Sequence, residues 1–200
     1  MSKFLLLLGP SGVGKSSIIK EILKLDNRFI YISPFMTRPL RKGEKDKVFA
    51  SEEKINKMWG RGDLLAINII YGIRYATPKK PIKRALKKGN FPILDWPINK
   101  IEVMMQAFPN QLFIVYIIPP SIDSLKKRLA KDGRDTDGLR LKNAIKELRD
   151  YKSSKYKGVC DLKIISEENR VREIAQKIYN HYLESFQKNS RREPTNCPKD

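Results

Sequence analysis

Apolar residues fall along this chain in two rhythms. Short unbroken runs at 4–8, 29–32, 91–95 and 112–118 read as strands buried on both faces, and a shorter one stands at 162–165. Between and after them the apolar positions recur every three or four residues: Ile18, Ile19, Ile22 and Leu23; Ile101, Met104, Met105 and Phe108; Ile122, Leu125 and Leu129; Val171, Ile174, Ile178, Tyr182 and Phe186. Each series makes one apolar stripe on a helix. Two more helices are expected, one at 78–88 with Ile82, Ala85 and Leu86 inward and Gly89 as its stop, the other at 138–151. Strands alternating with helices predict an α/β domain, its parallel sheet covered by helices on both faces.

Residues 34–90 break the alternation. From 34 to 47 the chain is charged and punctuated by Pro34, Pro39 and Gly43, as a loop is. Ser51 then caps a short helix, with Glu52 and Glu53 in its first turn and Ile55 and Met58 facing inward. Segments 64–70 and 73–76 read as two β-segments turning at Tyr71-Gly72. One domain over 1–186 is expected: a core (1–33, 91–131 and 152–186), a mixed insert (34–90) and a connecting segment (132–151). Residues 187–200, polar and carrying two prolines, read as a disordered tail.

Composition sharpens this only in places. At 200 residues the chain has room for a substantial core. No apolar stretch approaches the roughly 18 residues of a membrane span, and the run at 4–8 is too short for a signal-peptide core. A cytoplasmic protein with no membrane partner is expected. Cys160 and Cys197 are far apart and suggest neither a disulfide framework nor a metal site. The one histidine, His181, is read as lying near a helix C-terminus, complementing its dipole. The net charge of +19 admits an anionic partner. Because the excess is spread along the chain without interleaved aromatic residues, a solvated lysine-rich surface is favoured over nucleic-acid binding.

One segment carries chemistry by itself. Gly9-Pro10-Ser11-Gly12-Val13-Gly14-Lys15-Ser16 matches G-x-x-x-x-G-K-[ST], directly behind a strand and at the head of a helix. The glycines let backbone N–H groups turn inward on a polyphosphate, and the helix N-terminus adds partial positive charge. Lys15 reaches the β and γ phosphates in such a loop, and the Ser16 hydroxyl ligates Mg²⁺. Gly9, Pro10, Ser11, Gly12, Val13, Gly14, Lys15, Ser16 and Ser17 are therefore the ATP-binding candidates, and the α/β domain is expected to be of the P-loop NTPase type. Asp95, at the C-terminal end of a core strand beside that loop, suits Mg²⁺ binding.

A second phosphate site is read at 37–44, Thr-Arg-Pro-Leu-Arg-Lys-Gly-Glu. Arg38 and Arg41 offer two guanidinium forks on a loop stiffened by proline, and Tyr75 adds a phenolic hydroxyl. The order of six elements resembles the guanylate kinase family over about residues 3–182: the phosphate loop, 37–44, Tyr75-Ala76-Thr77, the strand ending in Asp95, the strand ending in Pro119-Pro120, and the arginine-bearing stretch 134–140. The resemblance implies a nucleoside monophosphate kinase that uses ATP and Mg²⁺. Lys15 and Ser16 would hold ATP and metal, with Asp95 near the metal. Arg38, Arg41, Tyr75 and Thr77 of the insert would bind a phosphorylated acceptor. Arg134 and Arg140 of a lid at 132–151 would close over the transferring phosphoryl group.

Departures from the family pattern matter equally. Where the family reads guanine with a serine, a glutamate and an aspartate, this chain has Pro34, Ala66 and Pro97. The family's second phosphate-binding tyrosine falls near Lys47, and the loop after Glu44 is about three residues shorter. The phosphate-gripping half of the acceptor site is thus expected to be kept and the base-reading half lost. Two alternatives stay open. Residues 72–78 resemble the corresponding turn of ribose 1,5-bisphosphate kinases, which suggests a sugar-phosphate acceptor. A non-catalytic phosphopeptide-binding module of the guanylate-kinase-like kind is the other, against which the intact Lys15 and Ser16 argue.

Overall fold

The computed structural model describes residues 3–41, 44, 47–133, 135, 137–153, 156 and 158–190. In chain order they form β1 (Phe4–Leu8), α1 (Lys15–Leu25), β2 (Phe29–Tyr31), β3 (Phe35–Met36), β4 (Val48–Phe49), α2 (Glu52–Gly60), β5 (Leu64–Ile70), β6 (Ile73–Pro78), α3 (Lys79–Lys87), β7 (Phe91–Asp95), α4 (Ile101–Ala107), β8 (Leu112–Ile118), α5 (Ile122–Asp132), α6 (Leu139–Tyr151), β9 (Leu162–Ile165) and α7 (Val171–Ser190).

β1 lies at the centre of a five-stranded sheet of order β2-β7-β1-β8-β9, in which every neighbouring pair is parallel. All five of its side chains are fully buried, and the strand period of two divides them. Leu5 and Leu7 meet Ile18, Ile22 and Ile178 of α1 and α7 on one face; Phe4, Leu6 and Leu8 meet Ile101 and Met104 of α4 on the other. Each such leucine contributes about 2 kcal/mol by leaving water. Tyr182 closes the α7 side. Its ring lies 5.0–5.7 Å from those of Phe29, Phe91, Phe113 and Phe186, and its hydroxyl donates to the Lys3 carbonyl at 2.7 Å.

A second sheet, β4-β3-β6-β5, grows from residues 35–78. One face is closed by Ile55 and Met58 of α2 against Phe35, Ile67 and Ala76. The other turns toward the main sheet, where Ala66 packs among Ile82, Leu94, Trp96 and Ile98. The carboxyl ends of β1 and β7 and the inner face of this second sheet thereby look onto one region, the place where open α/β sheets bind ligands.

Several expectations are corrected. Residues 34–47 are not all loop: Phe35 and Met36 pair with Val48 and Phe49 and with Ala76 and Tyr75. Strands of two residues leave no periodicity to read. β6 runs on to Pro78, so α3 begins at Lys79. α7 continues to Ser190, beyond the expected boundary at 187, which puts His181 in mid-helix beside Glu184 (3.5 Å). Residues 191–200, including Cys197, lie outside the described residues. Among the described residues no helix is long and apolar enough to cross a membrane.

Candidate active site

The phosphate loop is fixed by contacts only glycine permits. Gly9 has φ +130°, and a Cβ there would stand 2.4 Å from the Ile117 carbonyl oxygen of β8. A Cβ on Gly12 (φ +82°) would meet Leu129 of α5 at 2.7 Å. Pro10 is buried and Val13 is sealed in the core, anchoring the loop, while Ser16 and Ser17 are exposed on the first turn of α1. Lys15 opens that helix and folds back, its ammonium donating to the carbonyls of Gly9 and Pro10 (2.9 Å to the latter). Burial lowers its pKa, with Glu147 and Asp95 opposing that shift and Arg140 adding to it. These neutral carbonyls are partners that an incoming phosphate oxygen outcompetes.

Asp95 ends β7 in register with Leu7. Its Oδ1 accepts from the Tyr31 hydroxyl at 3.2 Å, and the Lys47 ammonium in turn donates to that hydroxyl. A polar chain therefore crosses from the second sheet to the core, with Asp95 between the ammonium groups of Lys47 and Lys15. Sequence reading had placed Lys47 only as a departure, and nothing local to Tyr31 signalled its part.

From α6 comes Arg140. Its Nε and Nη2 donate to Ser11 Oγ at 3.2 and 2.8 Å, and its Nη1 pairs with Asp132 at 2.6 Å. Asp135 fixes the start of the helix by accepting the backbone N–H groups of Arg140 (2.7 Å) and Leu141 (3.1 Å). Arg134, the other expected lid arginine, lies outside the described residues. Glu147, two turns past Arg140 on the same helix face, was missed by sequence reasoning. Among the described residues its Oε1 is buried without a hydrogen bond, and burial raises its pKa against the pull of Lys15. The seven-residue spacing from Arg140 was the available signal.

In the second sheet Arg38 is held by Glu44 through two parallel bonds of 2.7 and 2.6 Å, with both side chains 14% exposed. Glu44 also accepts the Arg41 backbone N–H at 3.1 Å. Chiefly through Arg38, its carboxyl is pulled down to about 2. The Tyr75 hydroxyl reaches Arg38 as well, and Arg38 Nε is buried without a partner among the described residues. Tyr75 and Thr77 project from one face of β6, Thr77 only 1% exposed. Arg41 is exposed at the edge of this cluster. Pro34 is buried ahead of β3, Ala66 lies on β5, and Pro97 heads the short 3₁₀ turn at 98–100. None of these three presents a polar side-chain atom.

Among the described residues no group of three His, Cys, Asp or Glu side chains converges as a closed metal cage. A serine hydroxyl and one carboxylate at the carboxyl end of the sheet suit Mg²⁺, which keeps waters and completes its shell with substrate phosphates. A shallow groove of about 670 Å³ between α1 and α7, lined by Glu21, Arg172 and His181 among others, contains none of these site residues.

A phosphate loop on a 2-7-1-8-9 parallel sheet, joined to a separate sheet with its own guanidinium cluster, defines a P-loop kinase fold. The structure is similar to that of a guanylate kinase from Anaplasma phagocytophilum (TM-score 0.73, 23% identity, 92% of this chain and 86% of that one). It is more distantly similar to a shikimate kinase from Acinetobacter baumannii (TM-score 0.50, 18% identity, 92% of this chain and 95% of that one). In sequence, the guanylate kinase family model matches residues 1–185. A guanylate kinase of Carboxydothermus hydrogenoformans is 37% identical over 137 residues, 67% of each chain, and one of Sulfurimonas denitrificans is 31% identical over 197 residues, 92% of this chain and 95% of that one. The chain belongs to the guanylate kinase family.

Proposed function

We propose that this protein transfers the γ-phosphoryl group of ATP to the phosphate of a nucleoside monophosphate, giving ADP and a nucleoside diphosphate; its relatives are named for guanylate as the acceptor. One observation carries the reading: a phosphate loop with its lysine intact faces a second, separately folded phosphate grip, Arg38 clamped by Glu44 beside Tyr75. A hydrolase or a pure triphosphate switch has no use for the second grip.

The attacking atom is an oxygen of the acceptor phosphate, already anionic near neutral pH, so no general base is required. The work left to the protein is alignment and charge neutralisation. Arg38, Arg41, Tyr75 and Thr77 orient the acceptor. Gly9 to Ser17 cradle the triphosphate. Lys15 leaves its loop carbonyls for the phosphate oxygens, and Arg140, already on Ser11, neutralises the charge developing on the transferred group. Ser16 and Asp95 would hold Mg²⁺, which would supply positive charge against the phosphates and act as a Lewis acid there. In this reading 34–90 is the acceptor-binding unit and 132–151 the lid, with Arg134 joining Arg140. ATP and a phosphorylated small molecule are the partners, in a cytoplasmic setting.

The test is ADP formation by the purified protein with ATP, Mg²⁺ and, in turn, GMP, AMP, CMP, UMP and ribose phosphates. Turnover with nucleoside monophosphates supports the reading. Turnover with ribose phosphates alone replaces it by a sugar-phosphate kinase. No turnover with any acceptor, together with phosphopeptide binding, replaces it by a binding module.

A further inference from the structure

Three polar side chains are buried among the described residues: Asn68 (7% exposed), Thr77 (1%) and Ser166 (4%). Ser166 is accounted for, its hydroxyl accepting from Arg128 at 3.0 Å. Asn68 is not. No hydrogen bond to its side-chain amide is found among the described residues, and the amide is not one of the polar atoms sealed from solvent, so the residue is nearly buried while its amide opens onto the space beside the sheet. An amide held by the sheet with its polar end left open is positioned to meet a ligand in that space.

Its position says which part of a ligand. Asn68 pairs with Tyr75 and Ala66 with Thr77, so these four side chains share the face of the second sheet turned away from α2 and toward the core. In the order β4-β3-β6-β5 the phosphate grip lies on the β3 side, where Tyr75 reaches Arg38 just beyond Met36. Asn68 is on β5, two strand spacings from β3, or roughly 10 Å. That span takes a mononucleotide from its phosphate to the edge of its base. On this face of β5 the neighbouring Ala66 offers no side-chain hydrogen bond, which leaves the Asn68 amide as the polar group that strand presents there.

We infer that Asn68 reads the base of the acceptor, through one amide donor and one amide acceptor. This rests on the nucleoside monophosphate reading above and adds to it a residue and a selectivity. Guanine offers O6 beside N1–H, and adenine offers N6–H beside N1. Turning the amide over satisfies either pair, so one asparagine engages both purines and separates them weakly. A carboxylate at the same point accepts from guanine N1–H and N2–H₂ and has nothing to donate to adenine N1.

The experiment measures kcat/KM for GMP, AMP and ribose 5-phosphate, and KM for ATP, in the wild type, Asn68→Leu and Asn68→Asp, with thermal midpoints recorded for all three. Asn68→Leu is expected to lower nucleotide kcat/KM about tenfold through KM, leaving KM for ATP and any ribose 5-phosphate rate unchanged. Asn68→Asp is expected to raise the GMP:AMP ratio about tenfold or more. A GMP:AMP ratio unchanged in the aspartate variant, or a leucine variant that loses ATP and nucleotide equally, overturns the assignment while leaving the reaction standing. A wild type that turns over no nucleotide overturns both. A general folding defect lowers every acceptor alike without moving the ratio, and counts against the assignment.

Discussion

Replacing Glu44 by Gln keeps the shape of the side chain and removes the charge that holds Arg38. Two guanidinium N–H groups, at 2.7 and 2.6 Å, and the Arg41 backbone N–H at 3.1 Å converge on this carboxylate. Its shift from 4.5 to about 2 sets a ceiling of about 3 kcal/mol on what the ionised form contributes to folding. Solvent near a loop-borne pair reduces this to about 1–2 kcal/mol. The folded value lies below the unfolded one, so the contribution is complete above about pH 4.5 and is lost as pH falls toward 2. Urea unfolding of wild type and Glu44→Gln should therefore differ by about 1–2 kcal/mol at pH 7, with roughly half of the gap gone at pH 3. In activity assays the variant should raise acceptor KM about tenfold and leave KM for ATP alone, because Arg38 loses its orientation and the phosphate loop does not. An equal gap at pH 7 and pH 3 would refute the electrostatic account, and no gap at pH 7 would refute the clamp itself.

Lys15→Ala should remove about 4 kcal/mol or more of transition-state stabilisation while far-UV circular dichroism stays unchanged; wild-type turnover in it would end the enzyme reading. Arg38→Ala and Arg41→Ala should each cost about 2 kcal/mol in acceptor kcat/KM with little effect on ATP, and an equal loss for both substrates would mean the two sites are reversed. Gly9→Ala places a Cβ 2.4 Å from the Ile117 oxygen at φ +130°. It should destabilise the protein by about 2 kcal/mol or more and weaken ATP binding; a variant that melts with the wild type and binds ATP normally contradicts that geometry. GMP should hold less than about a hundredfold advantage over AMP in kcat/KM, since Pro34, Ala66 and Pro97 cannot bind a purine edge through their side chains. An exclusive preference for GMP would mean that backbone groups or water replace them.

The core was legible because its code is local. A run of apolar residues such as 112–118, bounded by Gln111 and Pro119, can be little but a buried strand, and β8 and β9 have the bounds the pattern gives. Where structure is set by distant pairing the pattern is silent. β3 and β4 are two residues each and exist because β6 supplies a ladder for Phe35 and Met36. The end of α7 lies beyond the expected boundary for a different reason: Gln187, Lys188, Asn189 and Ser190 carry no apolar mark for a helical periodicity to follow.

The site divides along the same line. The phosphate loop is a contiguous motif whose backbone does the binding, so eight residues suffice to read it. Its surroundings are assembled from separate elements. Lys15 is influenced by Asp95 from β7 and by Glu147 and Arg140 from α6, and Asp95 is tied through Tyr31 of β2 to Lys47 ahead of β4. No spacing within any one element encodes those meetings. Glu44 shows the intermediate case: it stands inside the 37–44 motif, yet its importance lies in closing a turn on Arg38, a relation that needs coordinates to see. The guanidinium held there is ordered before any acceptor arrives, so binding a phosphate does not have to freeze a long side chain. Pre-ordering of this kind gives a half-buried loop arginine an energetic role that an isolated surface ion pair lacks.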